Sequence, residues 1–501
     1  MFFGRGKRKP TQVPSDPMEE YRNMRLCETV GENEKLFRGI FEGDNTVVFR
    51  AFGTNREFFL LFVDGMIDSL TINNSIISPA EQKSARDGFS SLEELAENVL
   101  SVNDVKITVD IVMILDSLLY GDAVLLADGF VEALVLSTKG FASRGVPESQ
   151  NEKGLRGPQE AFAEAFMTNL SLIRRKLRTP ALKFAFRKMG KVTRTNVVVC
   201  YIDGLADKEL LSELDERLSQ VEANGILDSN LISEKIRDHP FSPFKTIGTT
   251  ERPDVVAARL MEGRVAVIVD GSPTVLTLPH LLMEHFQSQG DYYGSFWFAS
   301  LTRIIRYIGF FISVSAPALY SALLSFHPDI LPTSMIVSIS QSRQGVMIPT
   351  VIEILFMLVA LTIMQEAGLR SPPAIGASLS IVGGLILGQS AVDVHLVSAP
   401  VVIIVAVWTV TNMMLPSLRA PVIVMTFILL MLSSVMGLYG YVFGLILAGI
   451  HTAGMRSFGV PFMDYIVPYT MGELRDGIIR APWRSMEQQP VFPSSKAGED
   501  Q

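Results

Sequence analysis

The chain has 501 residues and a formal net charge of −8, from 44 Lys and Arg against 52 Asp and Glu. That length allows two or three domains, and with no basic stripe concentrating the cations nothing points to nucleic acid. Cys27 and Cys200 are too few and too far apart for a disulfide framework or a metal spacing. Charge is dense up to about Arg306 and sparse afterwards, the pattern of a mildly acidic globular region followed by a membrane region.

Residues 1–18 are basic, then Pro-rich and polar, without an apolar h-region, so they read as a flexible tail and not a signal peptide. The region that follows is therefore expected in the cytoplasm. Residues 19–140 read as a first α/β subdomain. Its expected elements are a helix over 19–41, a buried strand over 57–64 (EFFLLFVD), and helix-like or mixed segments over 92–100 and 108–118. The runs DAVLLAD and FVEALVL flank Asp128-Gly129, a hairpin signal.

Residues 141–194 read as a linker and a helix. The linker is rich in Gly, Ser and Pro; the helix, over 159–178, ends in Arg174, Arg175, Lys176 and Arg178. Such a basic end suits a helix C-terminus and a solvated face. Residues 195–290 read as a second α/β subdomain, with strands over 195–203 and 264–270 and a helix over 207–221. Cys200 in the first of these strands reads as a small buried hydrophobe. Asp64-Gly65 and Asp128-Gly129 recur as Asp203-Gly204 and Asp270-Gly271, which marks two related or analogous units. The acids belong to tight-turn chemistry rather than to a catalytic or metal site. No P-loop, GxGxxG, HExxH, CxxC pair or GxSxG is present, so the expectation is no enzyme, no metal and no cofactor.

Residues 291–455 read as a helical transmembrane domain of four to six spans. Aromatics over 291–307 suit a bilayer interface, with Arg303 and Arg306 as a cytoplasmic flank. Apolar runs follow over 307–326, 345–364, 371–392 and 396–415. Residues 421–454 are too long for one crossing, and Gly437, Gly440 and Gly444 offer places to break. The Gly384/Gly388 and Gly440/Gly444 spacings allow close helix packing. Residues 456–501 read as a cytoplasmic tail, which demands an even number of crossings.

Glu353 lies in an otherwise apolar run. A carboxylate in a bilayer core costs roughly 3 kcal/mol or more, so it marks an ion route or a buried pair with Arg or backbone. Glu353, Met357, Ala360 and Met364 form one helical stripe, a candidate ion path. Asp393 and His395 are secondary polar positions expected at a span boundary.

Several long stretches, among them ILDSNLISEKIRDHPFSPF (226–244), TERPDVVAARLMEGRVAVIVDGSP (250–273), QEAGLRSPPAIGASLSIVGGLILGQSAVD (365–393) and IIRAPW (478–483), resemble the GerA family of spore germination membrane proteins. The resemblance covers about 59–483. It implies an A subunit of a nutrient-sensing germinant receptor in the spore inner membrane, oligomeric and channel-forming. The implied partners are a permease-like B subunit and a lipoprotein C subunit. Leu358 and Thr362 stand where relatives tend to be acidic, and Gln365 where they are basic. A non-conducting accessory or scaffold paralogue of the stage V sporulation AF type therefore stays open beside the channel.

Overall fold

The computed structural model describes residues 18–53, 55–86, 89–140, 152, 157–372, 383–384, 386–464 and 476–482. Two five-stranded sheets form the soluble half. The first contains β1 (Val47–Phe52), β2 (Phe58–Val63), β3 (Val105–Thr108), β4 (Ala123–Ala127) and β5 (Ala133–Leu136), in the order β1-β2-β4-β5-β3. The second contains β6 (Leu182–Met189), β7 (Thr195–Ile202), β8 (Gly248–Thr250), β9 (Val265–Val269) and β10 (Val275–Leu278), in the order β6-β7-β9-β10-β8. These orders are the same topology written twice, and neighbouring strands pair antiparallel throughout.

The helices repeat as well. In the first unit α1 (Val30–Ile40) and α4 (Ile111–Leu119) cover one face of the sheet, while α2 (Ser78–Arg86) and α3 (Leu92–Asn98) lie between β2 and β3. In the second, α5 (Phe166–Lys176) and α8 (Pro253–Met261) take the first face, and α6 (Lys208–Ser219) and α7 (Ser229–Ile236) the other. Strand alternation explains the continuous apolar runs. Phe59, Leu61 and Val63 join α1 and α4, while Phe58 and Leu60 join the opposite core with Leu92 and Leu95. Both faces are buried, so both must be apolar. Cys200 is buried in the second unit, among Leu170, Phe184 and Val256.

The four repeated Asp-Gly turns place glycine at positive φ, from 79° at Gly65 to 85° at Gly129 and Gly271. Asp64 and Asp203 each accept a hydrogen bond from the following glycine N–H, as turn chemistry requires. A further repeated element pins each first helix. Asn33 Oδ1 and Nδ2 bond the backbone of Cys27 at 2.9 and 2.7 Å, and Asn169 bonds Ala163 in the same way at 2.8 and 2.6 Å.

Several sequence expectations are corrected here. The helix expected over 19–41 is a short 3-10 turn, Glu19–Tyr21, then α1 from Val30. The helix expected from 159 starts at Phe166, because Ala165 is extended and Asn169 ties back to Ala163. The second unit begins with α5 and β6, so its boundary lies well before 195. Arg174 is not on a solvated face: it is buried and paired with Asp44 of the first unit. Residues 456–464 are not tail, since the Arg456–Ser457 and Val460–Pro461 strands pack back on the soluble domain.

The membrane half is built from α9 (Phe296–Phe326), α10 (Thr333–Ser342), α11 (Thr350–Arg370), α12 (Ala399–Met413) and α13 (Arg419–Gly454). Among the described residues, three helices are long and apolar enough to cross a bilayer: Phe296–Phe326, Thr350–Arg370 and Pro416–Gly454. The last is a hairpin. Gly437 has φ 61° and ψ −138°, and beyond it the chain doubles back. A Cβ at Gly440 would stand 2.1 Å from the Leu432 carbonyl oxygen, and one at Gly444 2.4 Å from Leu429 Cδ2. Each arm is about 25 Å long at 1.5 Å per residue, close to a bilayer core.

Direction follows from contacts. α9 leaves the soluble domain at Phe296, and its other end, Phe326, meets the hairpin tip at Gly437. α11 runs from that distal end, where Tyr320 packs beside it, back to Gln365, which meets Arg419 at the base of α13. The chain is distal again at His395, beside Gly345. α12 then descends past Ser313, and Gly309 faces Met414 just beyond its end. With the hairpin added, both ends of the bundle lie on the side of the soluble domain. Residues 373–382 and 385, part of the expected third span, lie outside the described residues.

Candidate functional site

Two buried ionic clusters stand out, one inside the bundle and one where the bundle meets the soluble domain. The first is centred on Glu353. Pro349 precedes α11 with extended geometry, so Glu353 sits in the first helical turn, where the helix dipole favours an acid. Its carboxylate accepts three hydrogen bonds. Arg343 Nη2 donates to Oε1 at 3.0 Å; the N–H and Oγ of Ser398 each donate to Oε2 at 2.8 Å. Arg343 caps the C-terminus of α10 and Ser398 is the N-cap of α12. One carboxylate thus joins three helices, and its side chain is 0% exposed against 27% for Arg343.

The rest of the stripe turns the same way. Met357 is buried, Ala360 and Met364 are half-buried, while Ile352, Phe356, Val359 and Ile363 form the exposed face of α11. Leu358 is buried, and Thr362 bonds its own helix at the Leu358 carbonyl. Asp393 and His395 are exposed at the distal end. Gly384 and Gly388 meet Met364 and Val402 at ordinary contact distance, whereas Gly440 and Gly444 sit in the tight seam of the hairpin.

The second cluster lies below the bundle. Glu284, on the turn after β10, faces Arg264 at 2.5 Å, Arg259 at 2.8 Å and His280 Nδ1 at 2.7 Å. Burial alone would raise its pKa, but Arg264, Arg259 and His280 outweigh burial and hold the carboxyl well below the usual range. His285 packs edge-on against His280 and bonds the Lys245 carbonyl at 3.1 Å. Burial, then the neighbouring His280, pushes its pKa down to about 3. Beside it, Asp291 binds Arg303 at 2.9 Å and Arg306 at 2.6 Å, and Arg303 also binds Asp476. These arginines, expected as a flank to the first span, are held in buried or half-buried ion pairs. The hydroxyls of Tyr292 and Tyr293 likewise bond Asp476 and Asp254.

The two units of the soluble domain meet at Arg174, whose guanidinium binds Asp44 and, at 3.1 Å, Thr46 Oγ1. A cleft of about 400 Å³ is lined by Tyr120, Pro158, Glu160, Arg175, Lys176 and Arg178. Sequence reasoning missed Arg343 and Ser398 as partners of Glu353, and the whole Glu284 cluster. Arg343 left one signal, as an isolated cation between two apolar runs.

A family profile described as "Bacillus/Clostridium GerA spore germination protein" matches residues 35–492. The chain belongs to the GerA family. Spore germination protein KA of Bacillus subtilis (strain 168) is 38% identical to this GerA chain over 448 residues, covering 88% of the chain and 82% of that protein. The uncharacterized membrane protein YfkQ of the same strain is 34% identical, covering 94% and 93%. GerLA of Bacillus cereus is 30% identical, covering 87% and 89%. Among solved structures, the N-terminal domain of the A subunit of the Bacillus megaterium germinant receptor GerK3 is 30% identical, with a TM-score of 0.41, over 52% of this chain and 98% of that one.

Proposed function

We propose that this GerA chain is the A-type subunit of a spore germinant receptor. It sits in the spore inner membrane with its N-terminal domain on the core side, beside a permease-like B subunit and a lipoprotein C subunit. It assembles with further copies of itself and provides a gated cation path. The observation that carries this reading is the continuous ionic and apolar seam from the second soluble unit into α9 and α13, through Glu284, His285, Asp291, Arg303 and Phe462. Such a seam couples the soluble domain to the bundle, because packed interfaces switch between discrete arrangements. The stripe Glu353, Met357, Ala360, Met364 serves as the ion route once Arg343 leaves Glu353. The test is cation flux from liposomes holding the A, B and C proteins, with and without a nutrient mixture. No nutrient-dependent flux, together with normal assembly, sinks the channel reading.

A second reading has its own support. Glu353 is paired, and Leu358 and Thr362 supply no further charge, so the bundle also suits a non-conducting accessory subunit that supports receptor assembly. Loss of the partner subunits from spores lacking this chain, with flux through the remaining receptor unchanged, would favour it.

A further inference from the structure

The loop 237–245, RDHPFSPFK, closes the second soluble unit onto the end of the bundle. It is held on several sides. Asp238 accepts from Arg217 at 2.5 Å and from the Phe458 N–H at 2.8 Å. His239 Nε2 accepts from the Arg456 N–H at 3.2 Å. Ser242 Oγ bonds His451 Nε2 at 2.9 Å and Met455 Sδ at 3.4 Å. Phe244 is buried in the same cluster as Met455, Phe462 and Leu418. Between Ser242 and Pro240, on this fixed backbone, Phe241 is wholly exposed, at 101%.

The depth of the loop follows from the hairpin. Its tip lies beside Phe326 and His327 at the distal end, and the returning arm is about 25 Å long. A bilayer core is about 30 Å thick, so the last turn, which carries His451, falls at the boundary between acyl chains and headgroups. Ser242 is bonded to that turn, and Phe241 is its neighbour in sequence. Lys245 and Arg456 are exposed at the same end, and neither is in an ion pair among the described residues. Asp238, the acid of the same loop, is already occupied by Arg217 and the Phe458 N–H. An apolar ring flanked by cations at this depth is the composition of an interfacial anchor on an anionic leaflet.

We propose that the 237–245 loop is a membrane-surface anchor. Phe241 enters the headgroup boundary of the leaflet facing the soluble domain, and Lys245 and Arg456 lie on anionic lipid phosphates. The anchor fixes the height of the second soluble unit against the bilayer, independently of whether the bundle conducts.

The test uses the full-length chain in nanodiscs of phosphatidylcholine, with and without phosphatidylglycerol. p-Benzoylphenylalanine replaces Phe241 in one sample and Val192, exposed on the soluble domain, in another. On irradiation, position 241 should give several-fold more lipid adduct than position 192, and more with phosphatidylglycerol present. A cross-link to a second copy in place of lipid, or lipid adduct no higher than at 192, overturns the proposal. A Lys245→Glu, Arg456→Glu double variant should lose the preference for phosphatidylglycerol while keeping its melting midpoint. An unchanged preference removes the charge half of the proposal.

Discussion

Replacing Glu353 by alanine separates a lock from an ion route. The wild-type carboxylate is fully buried and accepts three hydrogen bonds from Arg343 and Ser398. Breaking a buried ion pair by removing one partner costs about 3–5 kcal/mol. After Glu353→Ala the stranded group is Arg343, whose side chain is 27% exposed and can recruit water, so the loss should sit at the lower end, about 3 kcal/mol. That is roughly a hundred-fold in the unfolding equilibrium. Arg343→Met strands the more deeply buried partner and should cost more, about 4 kcal/mol. A Glu353→Leu, Arg343→Met double variant removes both charges and should recover most of the loss. The assay is thermal unfolding of the full-length protein in nanodiscs, with liposome cation flux measured in parallel. A Glu353→Ala protein that melts with the wild type, yet alters flux, would refute the lock.

Three further predictions concern other parts of the chain. The folded-state pKa of His285 lies near 3, below its ordinary 6.5, so the unfolded chain takes up the proton first and acid destabilises the fold. That stability is complete above pH 6.5 and is lost as pH falls toward 3, by about 2 kcal/mol at pH 5. His285→Gln keeps a donor for the Lys245 carbonyl and should flatten melting between pH 7.5 and 5; an unchanged slope refutes the assignment. Gly437→Ala puts a Cβ 2.8 Å from Phe326 Cβ at a positive φ and should cost about 2 kcal/mol, whereas Gly449→Ala, with open space around it, should leave the midpoint unchanged or slightly raised. Arg174→Ala should cost about 3 kcal/mol and open the junction of the two units to limited proteolysis, while Arg174→Met with Asp44→Leu should close it again.

What the sequence revealed of the soluble half depended on which strands are buried on both faces. β2, β4 and β9 are continuous apolar runs because helices cover each side of the sheet, and they stand out in the sequence. β1 and β6 do not. They are the edge strands of their sheets, partly exposed, and carry Arg50, Arg187 and Lys188 among their apolar residues, so they resemble linker. The start of α5 was hidden because a side chain sets it: Asn169 bonds backbone six residues upstream, and no local periodicity reports that. In the bundle, charge scarcity made Glu353 visible, and glycine spacing marked the break in α13. Which groups Glu353 meets was not legible, since Ser398 is 45 positions away and comes near only once α12 packs on α11.

The returning arm of α13 has a mechanical consequence. The second soluble unit grips the bundle at its first helix, through Asp291 on Arg303 and Arg306, and again at its last, through Ser242 on His451. First and last helices are thereby yoked to one platform, like two legs of a caliper. Rotation of that platform must change the angle between α9 and the returning arm. On the proposed channel reading, that rotation would be passed on to the α11–α12 pair, which carries Glu353.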